Sequence, residues 1–172
     1  MSACRHHIRR LQRGGQLAMC LVIFLGLNDL LKGSSIGPMK VMLGRIMAFL
    51  LQRRKTIILT TVPPFHKLWS DATLKQRVLS WNNHIRKVVS AHNGGSTAPL
   101  AAAPSYAEVT SGVECQPRSG TRVELLDFAV KAAMVPHNIY CRDGIHLNQR
   151  GLRKLRAAIT NKLRIMAQHG RL

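Results

Sequence analysis

Apolar residues recur along this chain in two kinds of pattern that alternate. Short runs rich in Val, Ile, Leu and Phe are typical of buried strands, and apolar residues three or four apart are typical of helices. The strand-like runs are residues 17–25, 56–62 and 123–128. The helical patterns follow them at 36–50, 74–88 and 152–166. This order predicts an α/β fold whose parallel strands are joined by right-handed crossovers.

Breaks in these patterns suggest how the chain is divided. A basic N-terminal segment, residues 1–16, precedes a domain predicted to span 17–172. Residues 26–35 are predicted to be a loop, and the Gly-, Ser-, Ala- and Pro-rich stretch 93–121 to be a flexible insert. Side chains suited to capping the helices are Ser34 or Ser35, Asp71 and Asn148.

The charge balance points to acidic partners. Lys and Arg number 26 against 7 Asp and Glu, a formal net charge of +19, so RNA or DNA is a candidate partner. The last helix has cations opposite its apolar stripe and on its flanks: Arg150, Arg153, Lys154, Arg156, Lys162 and Arg164. They form either a phosphate-facing stripe or an ordinary solvated face. Aromatic residues make up only 5% of the chain, which leaves few platforms for stacked bases.

Several classes of protein find no support. The run 17–27 is too short to cross a bilayer and no cleavage site follows it, so neither a transmembrane segment nor a signal peptide is predicted. No phosphate-binding glycine motif occurs, and we predict neither a cofactor nor a metal. The cysteines lack Cys-x-x-Cys spacing and are predicted to be reduced, in a protein that we expect to be intracellular. They are Cys4, Cys20, Cys115 and Cys141.

Two short polar motifs carry candidate chemistry. Gly26-Leu-Asn28-Asp29 follows the first strand, where an Asn side chain can donate an N–H to an oxyanion. Asp143-Gly-Ile-His146 precedes the last helix, where the carboxylate can orient the imidazole so that its other nitrogen acts as a base. Each motif alone is more typical of a turn or a cap.

Taken together and in this order, the two motifs resemble the later blocks of SGNH/GDSL-type hydrolases. The resemblance covers residues 17–167 apart from the insert, and the stretch 143–151 is especially similar. It implies a three-layer, flavodoxin-like α/β/α fold and hydrolysis of acyl or acetyl esters. By resemblance, Asn28 is the oxyanion-hole donor, His146 the general base and Asp143 its orienting acid.

The family's serine nucleophile block has no counterpart here, because no Gly-Asp-Ser occurs before Gly26. The chain is therefore expected to be an inactive C-terminal portion of such a domain, with an ester substrate only where the whole domain exists. Lacking a neighbouring strand, residues 20–25 would form an exposed edge that can pair with another chain. The alternative is a non-catalytic SGNH-like module that binds RNA or DNA through its basic surfaces.

Overall fold

A computed structural model describes residues 20–52, 56–93, 122–133 and 137–170, which form a mixed α/β structure. The basic segment 1–16 and all but the first residue of the proposed insert lie outside the described residues. The predicted division into these segments therefore stays a prediction.

Three parallel strands form one sheet in the order β1-β2-β3. They are β1 (Cys20–Phe24), β2 (Thr56–Thr60) and β3 (Val123–Leu126). Cys20 of β1 is in register with Thr56, and Ile57 of β2 is in register with Val123. The predicted parallel α/β class is confirmed.

Five α-helices surround this sheet in the described chain. They are α1 (Leu27–Leu31), α2 (Ile36–Leu51), α3 (Ala72–Asn93), α4 (Phe128–Ala133) and α5 (Gln149–Gln168), with 3-10 turns at His66–Trp69 and His137–Ile139. Two predicted caps are confirmed. Asp71 accepts from the Leu74 N–H at 2.8 Å, and Asn148 accepts from two N–H groups in the first turn of α5. Among the described helices, none combines the length and apolarity that crossing a membrane requires.

Several predicted boundaries differ from the structure. The first strand ends at Phe24 and not at Leu25, and the second ends at Thr60 and not at Val62. The predicted loop 26–35 contains α1, which begins where Gly26 turns the chain at φ 98° and which buries Leu30 completely. The third strand was predicted to reach Phe128, but it ends at Leu126 and Phe128 already begins α4. Asp127 between them accepts a hydrogen bond from the Val130 backbone, as a residue capping a helix does.

The side chains of β2 alternate between two separate apolar clusters. Ile57 and Leu59 face a large core formed with α2 and α3, whereas Ile58 packs with Leu126 and Met166 beneath α5. Because successive side chains of a strand point to opposite faces, helices cover this sheet on both sides. The described chain thus has three layers, α/β/α.

β1 is one edge of the described sheet. Val22 and Phe24 are each 39% exposed, on the face to which Cys20 also belongs, while Ile23 on the other face is buried. Burial raises the pKa of the partly buried Cys20 thiol. The prediction that this edge pairs with another chain stays a prediction.

Candidate functional site

The segments that follow the three strands meet at one edge of the sheet, because parallel strands all end on the same side. Gly26 follows β1, and Trp81 of α3 holds this segment by donating from Nε1 to the Leu25 carbonyl at 3.0 Å. The segment after β2 is held by Asn82, which both donates to and accepts from the Val62 backbone at 2.8 Å. Helix α3 therefore fixes two of the three strand ends.

The loop that contains Asp143 and His146 is attached to the segment after β2. The His66 N–H donates to the Gly144 carbonyl at 2.8 Å, and the Tyr140 hydroxyl donates to the Pro64 carbonyl. Burial raises the pKa of Tyr140 to about 12, so this hydroxyl keeps its proton at neutral pH. Gly144 has φ 67°, and a Cβ there would lie 2.7 Å from the Cβ of His66. The tight approach of the two segments requires glycine at this position.

The structure brings Asp143 and His146 into direct contact. His146 Nδ1 donates to Asp143 Oδ2 at 2.5 Å, and Asp143 Oδ1 accepts from the N–H groups of Ile145 and His146 at 2.9 and 3.0 Å. The Asp143 side chain is 44% exposed and the His146 side chain is 72% exposed. This arrangement orients an imidazole at the surface and also satisfies the backbone of a tight turn.

The hydrogen bond from His146, followed by the two backbone hydrogen bonds, lowers the pKa of Asp143 to about 2. In a titration followed by the NMR signal of its carboxyl carbon, we expect a midpoint near that value. Because the pKa is lower in the folded state, the ionised carboxylate stabilises the fold at pH values above 3.8, the pKa in the unfolded chain. This contribution is lost as the pH falls through about 2.

Replacing His146 by alanine should raise the Asp143 midpoint towards 3.8 without reaching it, because the two backbone donors remain. His169→Ala, which removes an exposed imidazole after the other end of α5, should leave the midpoint unchanged. An equal midpoint in wild type and His146→Ala would show that the side-chain bond does not form in solution.

Asn28 lies exposed on α1, after β1, at the same sheet edge as the Asp143–His146 loop. Its carbonyl accepts from the Lys32 N–H at 3.0 Å, within ordinary helical geometry. The structure thus joins two of the three predicted site residues by a hydrogen bond, and the third lies on α1, after β1. Catalytic roles for Asn28, Asp143 and His146 stay predictions. Within the described residues, no three His, Cys, Asp or Glu side chains are grouped as a metal would require.

A polar network that the sequence analysis missed lies at the same edge. Arg86 of α3 binds both carboxylate oxygens of Asp127, at 2.8 and 3.1 Å, and Thr61 donates to the same carboxylate at 2.9 Å. Burial raises the pKa of Asp127, but the bonds from Arg86 and Thr61 outweigh it and leave the pKa lowered. The sequence does contain a signal for this network, because the acid Asp127 directly follows the third strand. The network ties the last strand end to α3.

Helix α5 separates its cations between two faces. Arg150, Arg153, Lys154, Arg156 and Arg164 are exposed. Lys162 was expected on the flank of this stripe, but its Nζ donates to Glu124 of β3 at 2.8 Å, with only 23% and 12% of the two side chains exposed. It therefore neutralises an acid of the sheet and is not presented to solvent with the others.

Comparison with known families identifies a different relationship from the one that the motifs suggested. The OSK domain matches residues 1–93, more than half of the 172-residue chain. No curated protein and no solved structure matches the chain. The predicted SGNH/GDSL hydrolase family and its ester hydrolysis are contradicted by this match, and the flavodoxin-like SGNH fold is not confirmed. The matched residues include Asn28 but end before Asp143.

Proposed function

We propose that this chain, which belongs to the OSK domain family, binds nucleic acid through the exposed face of α5. The observation that carries the proposal is the row of exposed cations Arg150, Arg153, Lys154 and Arg164, opposite the side of the helix that packs on the sheet. From the first to the last of these residues the row spans about 21 Å, since an α-helix rises about 1.5 Å per residue.

The distribution of acids supports this reading. Three described acids are paired with groups that do not belong to this row: Asp127 with Arg86, Glu124 with Lys162 and Asp143 with His146. No Asp or Glu occurs in the sequence after Asp143, so α5 contains no acid that could neutralise its own row. A surface of this kind attracts polyanions and releases their counterions on contact.

The chemistry of the face favours contacts with phosphates over contacts with bases. Its exposed polar groups are guanidinium and ammonium groups, with Thr160 and Asn161 between them, and it has no aromatic side chain. Guanidinium groups match phosphate oxygens in a bidentate geometry. We therefore expect binding that depends little on base sequence and falls steeply with salt.

The test is a triple substitution, Arg150→Gln/Arg153→Gln/Arg164→Gln, compared with wild type in fluorescence anisotropy on a single-stranded RNA over a series of salt concentrations. Each lost phosphate contact should reduce the slope of log affinity against log salt by about 0.7, so the triple variant should lose about 2. Single-stranded DNA of the same sequence, measured in parallel, shows which nucleic acid is preferred.

The control, Lys32→Gln/Lys67→Gln/Lys75→Gln, removes the same charge from exposed positions outside α5. It should retain most of the wild-type slope. If the two triple variants lost slope equally, binding would follow from net charge alone, and the proposed face would be refuted.

A further inference from the structure

A shallow groove lies between α2 and α3, on the side of the sheet that faces away from α5. Its volume is about 400 Å³, and its walls include Lys40 from α2 and Ser80, Asn83, His84 and Lys87 from α3. The two lysines are exposed, whereas His84 is half-buried. No residue in the lining is an acid.

We propose that this groove is a binding site for a phosphate monoester, distinct from the nucleic-acid face of α5. Its polar lining offers hydrogen-bond donors on both walls, and a phosphate group accepts hydrogen bonds through three oxygens. Leu79, which is 46% exposed, also lines the groove and provides an apolar wall for the organic part of such a molecule.

Contacts within α3 orient two of the groups that line the groove, the Asn83 amide and the His84 imidazole. Arg86 donates to the side-chain oxygen of Asn83 at 2.9 Å, which leaves the NH2 group of Asn83 as the donor for a ligand. The Trp81 ring lies 5.9 Å from the His84 ring, at an interplanar angle of 36°, and limits the movement of the imidazole from one side. An anion between Lys40 and Lys87 would therefore meet an imidazole that is already positioned.

The charges in the groove are unfavourable to one another without an anion. Burial, and then the charges of Lys40 and Lys87, lower the pKa of His84. A bound dianion reverses the effect of the two lysines and favours the imidazolium, so binding and protonation of His84 reinforce each other. Affinity for an anion of constant charge should consequently rise as the pH falls through the pKa that His84 has in the complex, and should level off below the lowered pKa of the free protein.

The experiment follows the His84 imidazole signals by NMR while adenosine 5′-monophosphate is added to the full chain, with adenosine as the phosphate-free control. We expect saturable shifts with the monophosphate only. Lys40→Gln/Lys87→Gln should weaken binding by about tenfold or more, because it removes two charge-assisted contacts. Lys32→Gln/Lys67→Gln changes the net charge equally outside the groove and should bind like wild type.

Two further arms identify the source of the phosphate and test the role of His84. If a short RNA with a 5′-phosphate displaces the monophosphate better than the same RNA with a 5′-hydroxyl, the groove is assigned to an RNA end. If the 5′-phosphate gives the RNA no such advantage, the groove is assigned to a small molecule. With inorganic sulfate, His84→Gln should abolish the rise in affinity at lower pH, whereas His92→Gln should retain it.

The proposal is overturned if no phosphate probe produces binding that depends on Lys40 and Lys87. Its outcome is independent of the function proposed for α5, because the Arg150/Arg153/Arg164 variant should bind adenosine 5′-monophosphate like wild type. The exposed positions of Lys40 and Lys87 also mean that their substitution should leave the free energy of unfolding within about 0.5 kcal/mol of wild type.

Discussion

Replacing Lys162 by methionine is expected to lower the free energy of unfolding by about 1–3 kcal/mol. The Lys162 ammonium lies 2.8 Å from a carboxylate oxygen of Glu124, and only 12% of the Glu124 side chain is exposed. Methionine retains most of the aliphatic packing of the lysine, so the main loss is one charged hydrogen bond to a largely buried carboxylate. Urea unfolding followed by circular dichroism measures the difference.

The second variant in this experiment removes both charges. In Lys162→Met/Glu124→Leu the carboxylate that lost its ammonium partner is removed as well, and most of the lost free energy should return, because apolar pairs often replace buried ion pairs without cost. Arg156→Met on the exposed flank of α5 serves as the control and should change stability by no more than about 0.5 kcal/mol. A double variant as unstable as Lys162→Met alone would show that the carboxylate is not the source of the loss.

The ion pair also shows where reasoning from the sequence reached its limit. Helix α5 and its cap Asn148 could be predicted, because helical periodicity and capping depend on residues close in the chain. The partner of Lys162 could not, since Glu124 is 38 residues away and meets it only after β3 and α5 have packed together. The helical pattern therefore placed Lys162 on the flank of α5 but could not show that it pairs with an acid of the sheet.

The same distinction applies at the sheet edge. The three strands and their parallel direction followed from apolar runs separated by helices, and the contact between Asp143 and His146 from their spacing. Helix α1 was missed because Gly26-Leu-Asn28-Asp29 also fits a turn, although Leu27, Leu30 and Leu31 have helical spacing. The family was misidentified for a related reason: four-residue motifs of common turn and cap residues do not distinguish between families.

Trp81 is the second residue whose replacement should have a large effect. Its side chain is fully buried, and Nε1 donates to the Leu25 carbonyl directly before Gly26. We expect Trp81→Ala to lower the free energy of unfolding by about 3–5 kcal/mol, through lost burial and the cavity that remains. Trp81→Phe retains an aromatic ring but leaves the carbonyl without this donor, and should cost about 1–3 kcal/mol.

Gly26 provides the test of whether this contact acts as described. A Cβ at Gly26 would lie 2.5 Å from Nε1 and 2.8 Å from Cε2 of Trp81, and φ there is 98°. Gly26→Ala should therefore destabilise the fold both by collision with the indole and by backbone strain of about 1–2 kcal/mol. Gly44→Ala, at an open helical position, should instead stabilise it by up to about 1 kcal/mol.

A double-mutant cycle separates the collision with the indole from the backbone strain at Gly26. In the Trp81→Ala background both indole atoms that the new methyl group would strike are absent, so Gly26→Ala should cost less there than in wild type. The backbone strain and the 3.1 Å approach to Met39 Cε should remain. Additive losses would mean that the indole does not lie against Gly26. Because this contact holds the segment that leads into Asn28, a large coupling would also show that α3 fixes the strand end on which any role of Asn28 depends.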